Sequence, residues 1–381
     1  MSHIALVIPG LDRIGGAERQ VLLLAKGLVR RGWQVSVVAL SGACGSAAGE
    51  LVSAGATFTT LEMRKGLADP RGWIRFHRWL RKHAPDVVHA HLPHAAWMAR
   101  WSRLGAPVRA VVDTLHSSST GTMGRRLGYR WSDWLPDRIT AVSNAVVDAH
   151  LAAAMAATLT VVPNGVDVEE WRPNGATRTA LRNELGLDDE FLWFAAGRLE
   201  PVKDYPTLLR AFSQAPSTAR LVIAGGGPLE NELRRLCATL GLEQRVRLLG
   251  FEPDVCRWMQ AADGFVLSSL WEGLPIGLLE AAACALPAVA TDVPGSREVI
   301  AHGQTGLLAA QASVTALQAA MTELMRSAPE ERMRMGERAR QRVIERYSLE
   351  AVLDRWETLY LDLLALNPRP RRYKHARLRT D

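Results

Sequence analysis

The chain of 381 residues is 48% apolar and 22% charged, with 31 Gly and 19 Pro. That balance excludes disordered, collagenous and coiled-coil proteins, and the length predicts two domains, or three. The formal charge of +7 divides unevenly: residues 1–165 hold 19 Lys and Arg against 10 Asp and Glu, residues 166–368 hold 21 against 28, and the last thirteen hold six against one.

Short β-branched runs alternate with helical periodicity, the signature of parallel α/β units. In the first half the predicted strands are Ile4–Ile8, Gln34–Leu40, Thr57–Leu61, Asp86–Ala90, Val108–Asp113 and Arg138–Val142. Helices are expected near 16–31, 71–84, 94–104 and 144–153. Two Pro, two Asn and two Gly between Pro163 and Gly175 mark a boundary. Beyond it, Phe191–Ala196, Leu221–Ala224, Val246–Leu249, Gly264–Leu267 and Ala288–Ala290 repeat the scheme, and 311–366 reads as helical. The expected architecture is two doubly wound Rossmann-like sheets facing a cleft. The domains would be 1–165, 166–346, a last helix 347–366 and a basic tail 367–381.

Cys44, Cys237, Cys256 and Cys284 include no Cys-x-x-Cys pair, which points to a reducing, cytoplasmic setting. No apolar run reaches the ~20 residues of a spanning helix. The first residues meet Asp12 and Arg13 early and lack a basic leader, so they read as a strand rather than a signal peptide.

Three segments can carry chemistry. Gly15 and Gly16 stand where a strand gives way to a helix, as a phosphate-binding helix start or as a tight turn needing positive φ. Arg198 and Lys203 follow the strand 191–196, at the sheet edge where doubly wound folds bind ligands; two cations there suit a diphosphate or form a solvated basic loop. In Trp271-Glu-Gly-Leu-Pro-Ile-Gly-Leu-Leu-Glu280, a helix opening at Pro275 would offer the N–H groups of Ile276, Gly277, Leu278 and Leu279 to a second phosphate. Glu272 and Glu280, about 12 Å of helix apart, would bracket a nucleotide sugar, with Glu272 accepting from the sugar and Glu280 from ribose. The plain alternatives are a loop acid and a carboxylate offsetting the helix dipole.

His89 and His91 alternate on one strand, and His116 ends the next strand before the loop 117–124. The His-x-His pair with His116 is a conceivable zinc set. Packing is the expected role of His89 and His91, and His116 is the active-site candidate. Trp73, Phe76 and Leu80 share one helical face opposite Arg75, Arg78 and Lys82, and Arg125, Arg126, Arg130, Trp131 and Trp134 form a second basic-aromatic patch. Each suits an anionic bilayer surface or, for 73–83, a helix packed on the sheet with a solvated basic side. No nucleic-acid recognition module is present.

Six stretches in order, Gly15-Gly-Ala-Glu-Arg19, Val142-Ser-Asn144, Val162-Pro-Asn-Gly-Val-Asp167, Gly197-Arg-Leu-x3-Lys203, Ala224-Gly-Gly-Gly-Pro228 and Glu272-x7-Glu280, resemble the group 1 (family 4) retaining glycosyltransferases of GT-B fold. The resemblance implies that Gly16 meets the donor diphosphate and that Arg198 and Lys203 neutralise it. By the same likeness Glu272 holds the transferred sugar, Glu280 the ribose, Asp254 the base, and His116 lies near the reacting sugar. Many members carry Glu-Gly-Phe-Gly where this chain has Glu272-Gly-Leu-Pro-Ile-Gly277. A last helix crossing back to the first domain is also implied, for which Leu349–Leu366 qualifies. The expected enzyme moves a sugar from a nucleoside diphosphate-sugar, UDP foremost, to a lipid-linked or oligosaccharide acceptor in lipopolysaccharide or other surface-polysaccharide assembly. It keeps the anomeric configuration, needs no metal or other cofactor, and works peripherally at the anionic inner-membrane surface. The alternatives are a non-hydrolysing nucleotide-sugar epimerase, a zinc hydrolase built on His89, His91 and His116, and a non-catalytic sensor.

Overall fold

In a computed structural model of the chain, which describes residues 2–367 other than 13–14, 43–44, 65–68, 118, 120 and 154–158, the β-branched runs pair into two parallel sheets. The basic tail from residue 368 onward lies outside the described residues.

The first half lays down β1 (His3–Ile8), α1 (Gly16–Arg30), β2 (Gln34–Ala39), α2 (Ser46–Ser53), β3 (Thr57–Thr60), α3 (Pro70–His83) and β4 (Val87–His91). It continues with α4 (Pro93–Ser102), β5 (Ala110–Leu115), α5 (Met123–Trp131), β6 (Arg138–Ala141), α6 (Asn144–Ala152) and β7 (Thr160–Val161). The second half opens with α7 (Gly175–Leu185), β8 (Phe191–Ala196), α8 (Tyr205–Ser213), β9 (Ala219–Ala224), α9 (Glu230–Thr239), β10 (Val246–Gly250) and α10 (Val255–Ala261). It closes with β11 (Gly264–Leu267), α11 (Ile276–Ala283), β12 (Ala288–Thr291), α12 (Pro294–Val299), β13 (Gly306–Ala309), α13 (Val314–Arg326), α14 (Pro329–Tyr347) and α15 (Leu349–Leu366).

The strand orders are β3-β2-β1-β4-β5-β6-β7 and β10-β9-β8-β11-β12-β13. Each sheet grows from its first strand to one edge and then returns to the other side, so the order reverses beside β1 and beside β8. Such switch points open a crevice at the carboxyl ends of the strands. Every residue of β1 and β4 is buried, as expected where helices cover both faces. The expected doubly wound α/β architecture is therefore present.

The last helix crosses back. α15 buries Leu353, Trp356 and Tyr360 in the same apolar cluster as Ile4, Leu6 and Ile8 of β1. It lies so near α1 that a Cβ on Gly27 would fall 2.5 Å from Leu353 Cδ1. The two inter-domain segments run side by side: Val166 N–H donates to Tyr347 O and Leu349 N–H to Val166 O, both at 2.9 Å.

The structure departs from the sequence reading at five elements. β7, of two residues, and β13 are too short to carry a period, and neither α2 nor α5 stands out as a helix in the sequence. β5 also runs past Asp113 to Leu115, because Arg100 of α4, itself buried, forms an ion pair with the buried Asp113 carboxylate. That pairing lets a charged residue sit inside a central strand.

Candidate active site

The crevices of the two sheets face each other. α1 opens against α11: a Cβ on Gly16 would stand 2.9 Å from Ile276 Cδ1. Neither Gly15, at φ −106°, nor Gly16 lies at positive φ. The turn reading of this pair is thus corrected: at Gly16 it is the Ile276 side chain of the opposite domain, whose terminal methyl would have to shift, that a Cβ would meet. At Gly15 the N–H donates back to Glu18 Oε2 at 3.1 Å, capping α1.

On the second-domain wall, two loops pack backbone on backbone. A Cβ on Gly225, at φ +140°, would lie 1.9 Å from Gly197 O, and one on Gly227 would lie 2.5 Å from Leu199 O. This contact fixes the loop that bears Arg198 and Lys203. Lys203 Nζ donates to Glu272 Oε1 at 2.5 Å, and Ser269 Oγ donates to the same oxygen at 2.6 Å. Two residues read separately from sequence are therefore one ion pair. Arg198 remains at the surface, 69% exposed along its side chain, with Glu200 2.6 Å away.

The segment around Glu272 is clamped from both sides. Ser143 Oγ, at the start of α6, donates to Gly273 O at 2.6 Å, and a Cβ on Gly273 would meet His116 O at 2.8 Å. From behind, α12 approaches so closely that a Cβ on Gly295 would lie 2.6 Å from Glu272 O. Helix α11 then begins after Pro275. Leu278 N–H donates to Pro275 O at 3.0 Å and the Leu278 side chain is buried in the core, which removes Leu278 from the expected anion-facing set. Ile276 and Gly277 supply the first two N–H groups of the helix, the positions that have no carbonyl one turn earlier within it.

Glu280 is buried at 8% exposure, and burial pushes its carboxyl up to about 7 despite the nearby Arg19 guanidinium. Arg19 reaches over from α1, with Nε 3.6 Å from Glu280 Oε1 and a terminal nitrogen 3.0 Å from Glu170 Oε1. Sequence reasoning did not single out Arg19, although it stands one helical turn beyond Gly16. Asp254 is exposed and caps α10 by accepting from Arg257 N–H at 3.1 Å.

Apart from Arg19, the first-domain wall is neutral around its buried histidines. His116 Nε2 and His91 Nδ1 are 3.0 Å apart, and His116 Nδ1 and His91 Nε2 are buried with no hydrogen-bond partner among the described residues. Burial lowers His116 to about 4, so the ring is uncharged at neutral pH. His89 is engaged at both nitrogens, by Tyr360 OH at 2.7 Å and Thr114 Oγ1 at 2.6 Å. It is a satisfied core histidine. A cavity of about 20 Å³, room for one water, lies between His91, His116, Thr114, Gln20 and Asn164. Gln20 ties α1 to the linker through a reciprocal pair of 2.8 Å bonds with Gly165.

The two basic-aromatic stretches part company. On α3, Phe76, Trp79 and Leu80 are buried in the core. On and after α5, Met123, Leu127, Trp131 and Trp134 are exposed at 67, 51, 79 and 69%. Among the described residues no helix is long and apolar enough to cross a membrane.

Residues 14–170 match the family described as Glycosyltransferase Family 4, and residues 177–342 match Glycosyl transferases group 1. The chain is 30% identical over 295 residues to N-acetyl-alpha-D-glucosaminyl L-malate synthase of Bacillus anthracis, covering 73% of this chain and 75% of that protein. It is 26% identical over 322 residues to the UDP-Gal:alpha-D-GlcNAc-diphosphoundecaprenol alpha-1,3-galactosyltransferase of Escherichia coli, covering 78% and 81%. Among solved structures, Anabaena Alr3699/HepE in complex with UDP and glucose superposes with a TM-score of 0.83 at 21% identity, over 94% of this chain and 99% of that one. With transferase families matched on both sides of the cleft, the hydrolase and epimerase alternatives fall away. The chain belongs to the group 1, family 4 glycosyltransferases, enzymes that transfer a sugar.

Proposed function

We propose that the protein moves a sugar from a UDP-sugar to a hydroxyl of a lipid-linked or oligosaccharide acceptor, with retention of anomeric configuration and without a metal. The observation that carries this reading is the Lys203–Glu272 ion pair at the carboxyl edge of the second sheet. It lies beside a helix start that faces Gly16 across the cleft. Lys203 and Arg198 meet the leaving diphosphate, with the Gly16, Ile276 and Gly277 N–H groups completing its cradle. As the diphosphate draws Lys203 away, the Glu272 carboxylate turns to the hydroxyls of the transferred sugar, and His116 Nδ1 faces the same sugar from the other wall. The acceptor oxygen approaches on the leaving-group side. Its bond to C1 forms as the C1–phosphate oxygen bond breaks, and its proton passes to the departing phosphate oxygen. Glu280 accepts from ribose. Asp254 stands at the base end.

UDP is favoured because the solved relative from Anabaena was crystallised with UDP and the relative from Escherichia coli is named for UDP-Gal. The latter's diphosphoundecaprenol acceptor also supports a lipid-borne substrate and a role in surface-polysaccharide or lipopolysaccharide assembly. A peripheral seat on the cytoplasmic, anionic face of the inner membrane fits the basic first half and the exposed stripe of α5.

The test is a melting-temperature screen against UDP-, GDP- and ADP-sugars in chelator, followed by transfer assays with the product linkage read by NMR. Stabilisation that rises with UDP-sugar saturation, with a retained linkage, is expected. A response to GDP or ADP alone refutes the UDP assignment. Loss of transfer in chelator, restored by a divalent ion, refutes metal independence. Trp131→Ala combined with Trp134→Ala should weaken pelleting with anionic vesicles at unchanged melting temperature, and undiminished pelleting removes α5 from the membrane reading.

A further inference from the structure

Glu280 is the one proposed donor contact whose charge state depends on the other domain. Its carboxyl is buried on α11, and the cation nearest to it comes from α1, across the cleft. The groups that face it are Arg19 from α1, Glu170 from the inter-domain linker, Cys256 from α10 and Cys284 one turn further along its own stretch, with Arg340 of α14 beyond Cys284. Of the charged groups closest to it, Arg19 alone favours the ionised form, while Glu170 opposes it. Arg19 does not reach over by chance. Glu170 holds its guanidinium at 3.0 Å, and the ring of Trp171 lies beneath it at 5.0 Å from guanidinium carbon to ring centroid. The linker thereby aims an arginine of the first domain at a carboxyl of the second.

We propose that Arg19 is a positioning residue that favours the carboxylate form of Glu280, so that the donor ribose meets a stronger hydrogen-bond acceptor with the guanidinium of α1 in place than without it. This rests on the reading of Glu280 as the ribose contact. An ionised carboxylate accepts hydrogen bonds at both oxygens, whereas the protonated acid spends one oxygen as a donor. Loss of the Arg19 guanidinium leaves the buried acid without its nearest cation, so that it takes up a proton more readily and accepts less well from ribose. Arg19 thus tunes donor affinity from the opposite domain without touching the reacting carbon.

The experiment is calorimetric titration of UDP into wild type, Arg19→Gln, Arg19→Lys, Glu280→Gln and the Arg19→Gln/Glu280→Gln double variant between pH 6 and pH 9. Loss of a flanking cation raises a carboxyl by about one unit or more, so Arg19→Gln should weaken UDP about twofold near pH 7.5, where wild type is mostly ionised and the variant mostly protonated, and hardly at all at pH 6 and pH 9. Arg19→Lys should recover most of the affinity near pH 7.5. Glu280→Gln should weaken UDP several-fold at pH 9 and flatten the pH dependence, and adding Arg19→Gln to it should cost nothing more. A loss in Arg19→Gln that is the same at every pH, or that adds fully to Glu280→Gln, overturns the proposal and makes Arg19 a diphosphate contact or a packing residue. Unchanged affinity in Glu280→Gln at every pH overturns it differently, by removing Glu280 from the ribose site altogether.

Discussion

The two walls of the cleft do opposite electrostatic work. The first-domain wall is uncharged at its centre, with a buried histidine pair, a glycine-bearing helix start and Ser143 holding the opposing loop. The second-domain wall is built of ions: Lys203 on Glu272, exposed Arg198, and buried Glu280. A wall of neutral groups keeps one character across the working pH range, because burial drives His116 down to about 4. The ionic wall does not, because burial drives Glu280 up to about 7. Of these cleft groups, the one whose charge changes near neutrality is therefore a carboxylate of the second domain, although the histidines of the first are the residues conventionally suspected.

The sharpest way to break this contrast is Glu272→Gln. It should lower transfer about a thousandfold, the range of a lost transition-state electrostatic contact, while UDP affinity in calorimetry stays within a few-fold. Equal loss of both would make Glu272 a structural partner of Lys203 only.

Next in size is a stability effect. Glu280 has a folded pKa above its unfolded one, so the folded state holds the proton more tightly. The stability this supplies is complete below about 4.5 and is lost as pH rises toward 7. Urea unfolding should therefore show Glu280→Gln gaining roughly 3 kcal/mol on wild type between pH 4 and pH 8. A pH-independent difference would mean that Glu280 is solvated in the closed protein.

Gly16→Val tests the contact between the walls. Its branched side chain meets Ile276 and should wedge the cleft open, weakening UDP about tenfold, with Ile276→Ala restoring part of the loss by making room. No rescue would locate the defect in α1 itself. The smallest effect is expected of His116→Asn on the acid limb of UDP affinity. That limb should stay where it is in wild type, whereas in Glu280→Gln it should vanish. Its disappearance in His116→Asn instead would assign the limb to the neutral wall.

The helices α3 and α5 indicate why some of the site was legible and some was not. Both are basic and aromatic, and the sequence offers a bilayer surface for each, with packing on the sheet as the alternative for 73–83. Packing separates them. α3 lies on the first sheet and buries Phe76 and Leu80, whereas α5 turns Met123, Leu127 and Trp131 outward. Nothing local distinguishes a tryptophan that will be covered from one that will not, because cover is supplied by residues far away in the chain. The same limit hid Arg19, whose partners Glu170 and Glu280 are separated from it by more than a hundred residues.

By itself the sequence determined the parallel α/β alternation and the glycine- and acid-bearing loops, while the crossing of the last helix was implied only by the family resemblance. The former follow from hydrophobic period, turn chemistry and motif spacing, which are local properties. Only the tertiary structure decided what each loop residue does. It paired Lys203 with Glu272, gave Gly16 a steric reason in Ile276, engaged Leu278 within its own helix and set a neutral wall against a charged one. Charge states and close contacts depend on which surfaces face each other after folding, and burial alone moved Glu280 and His116 in opposite directions from their ordinary values.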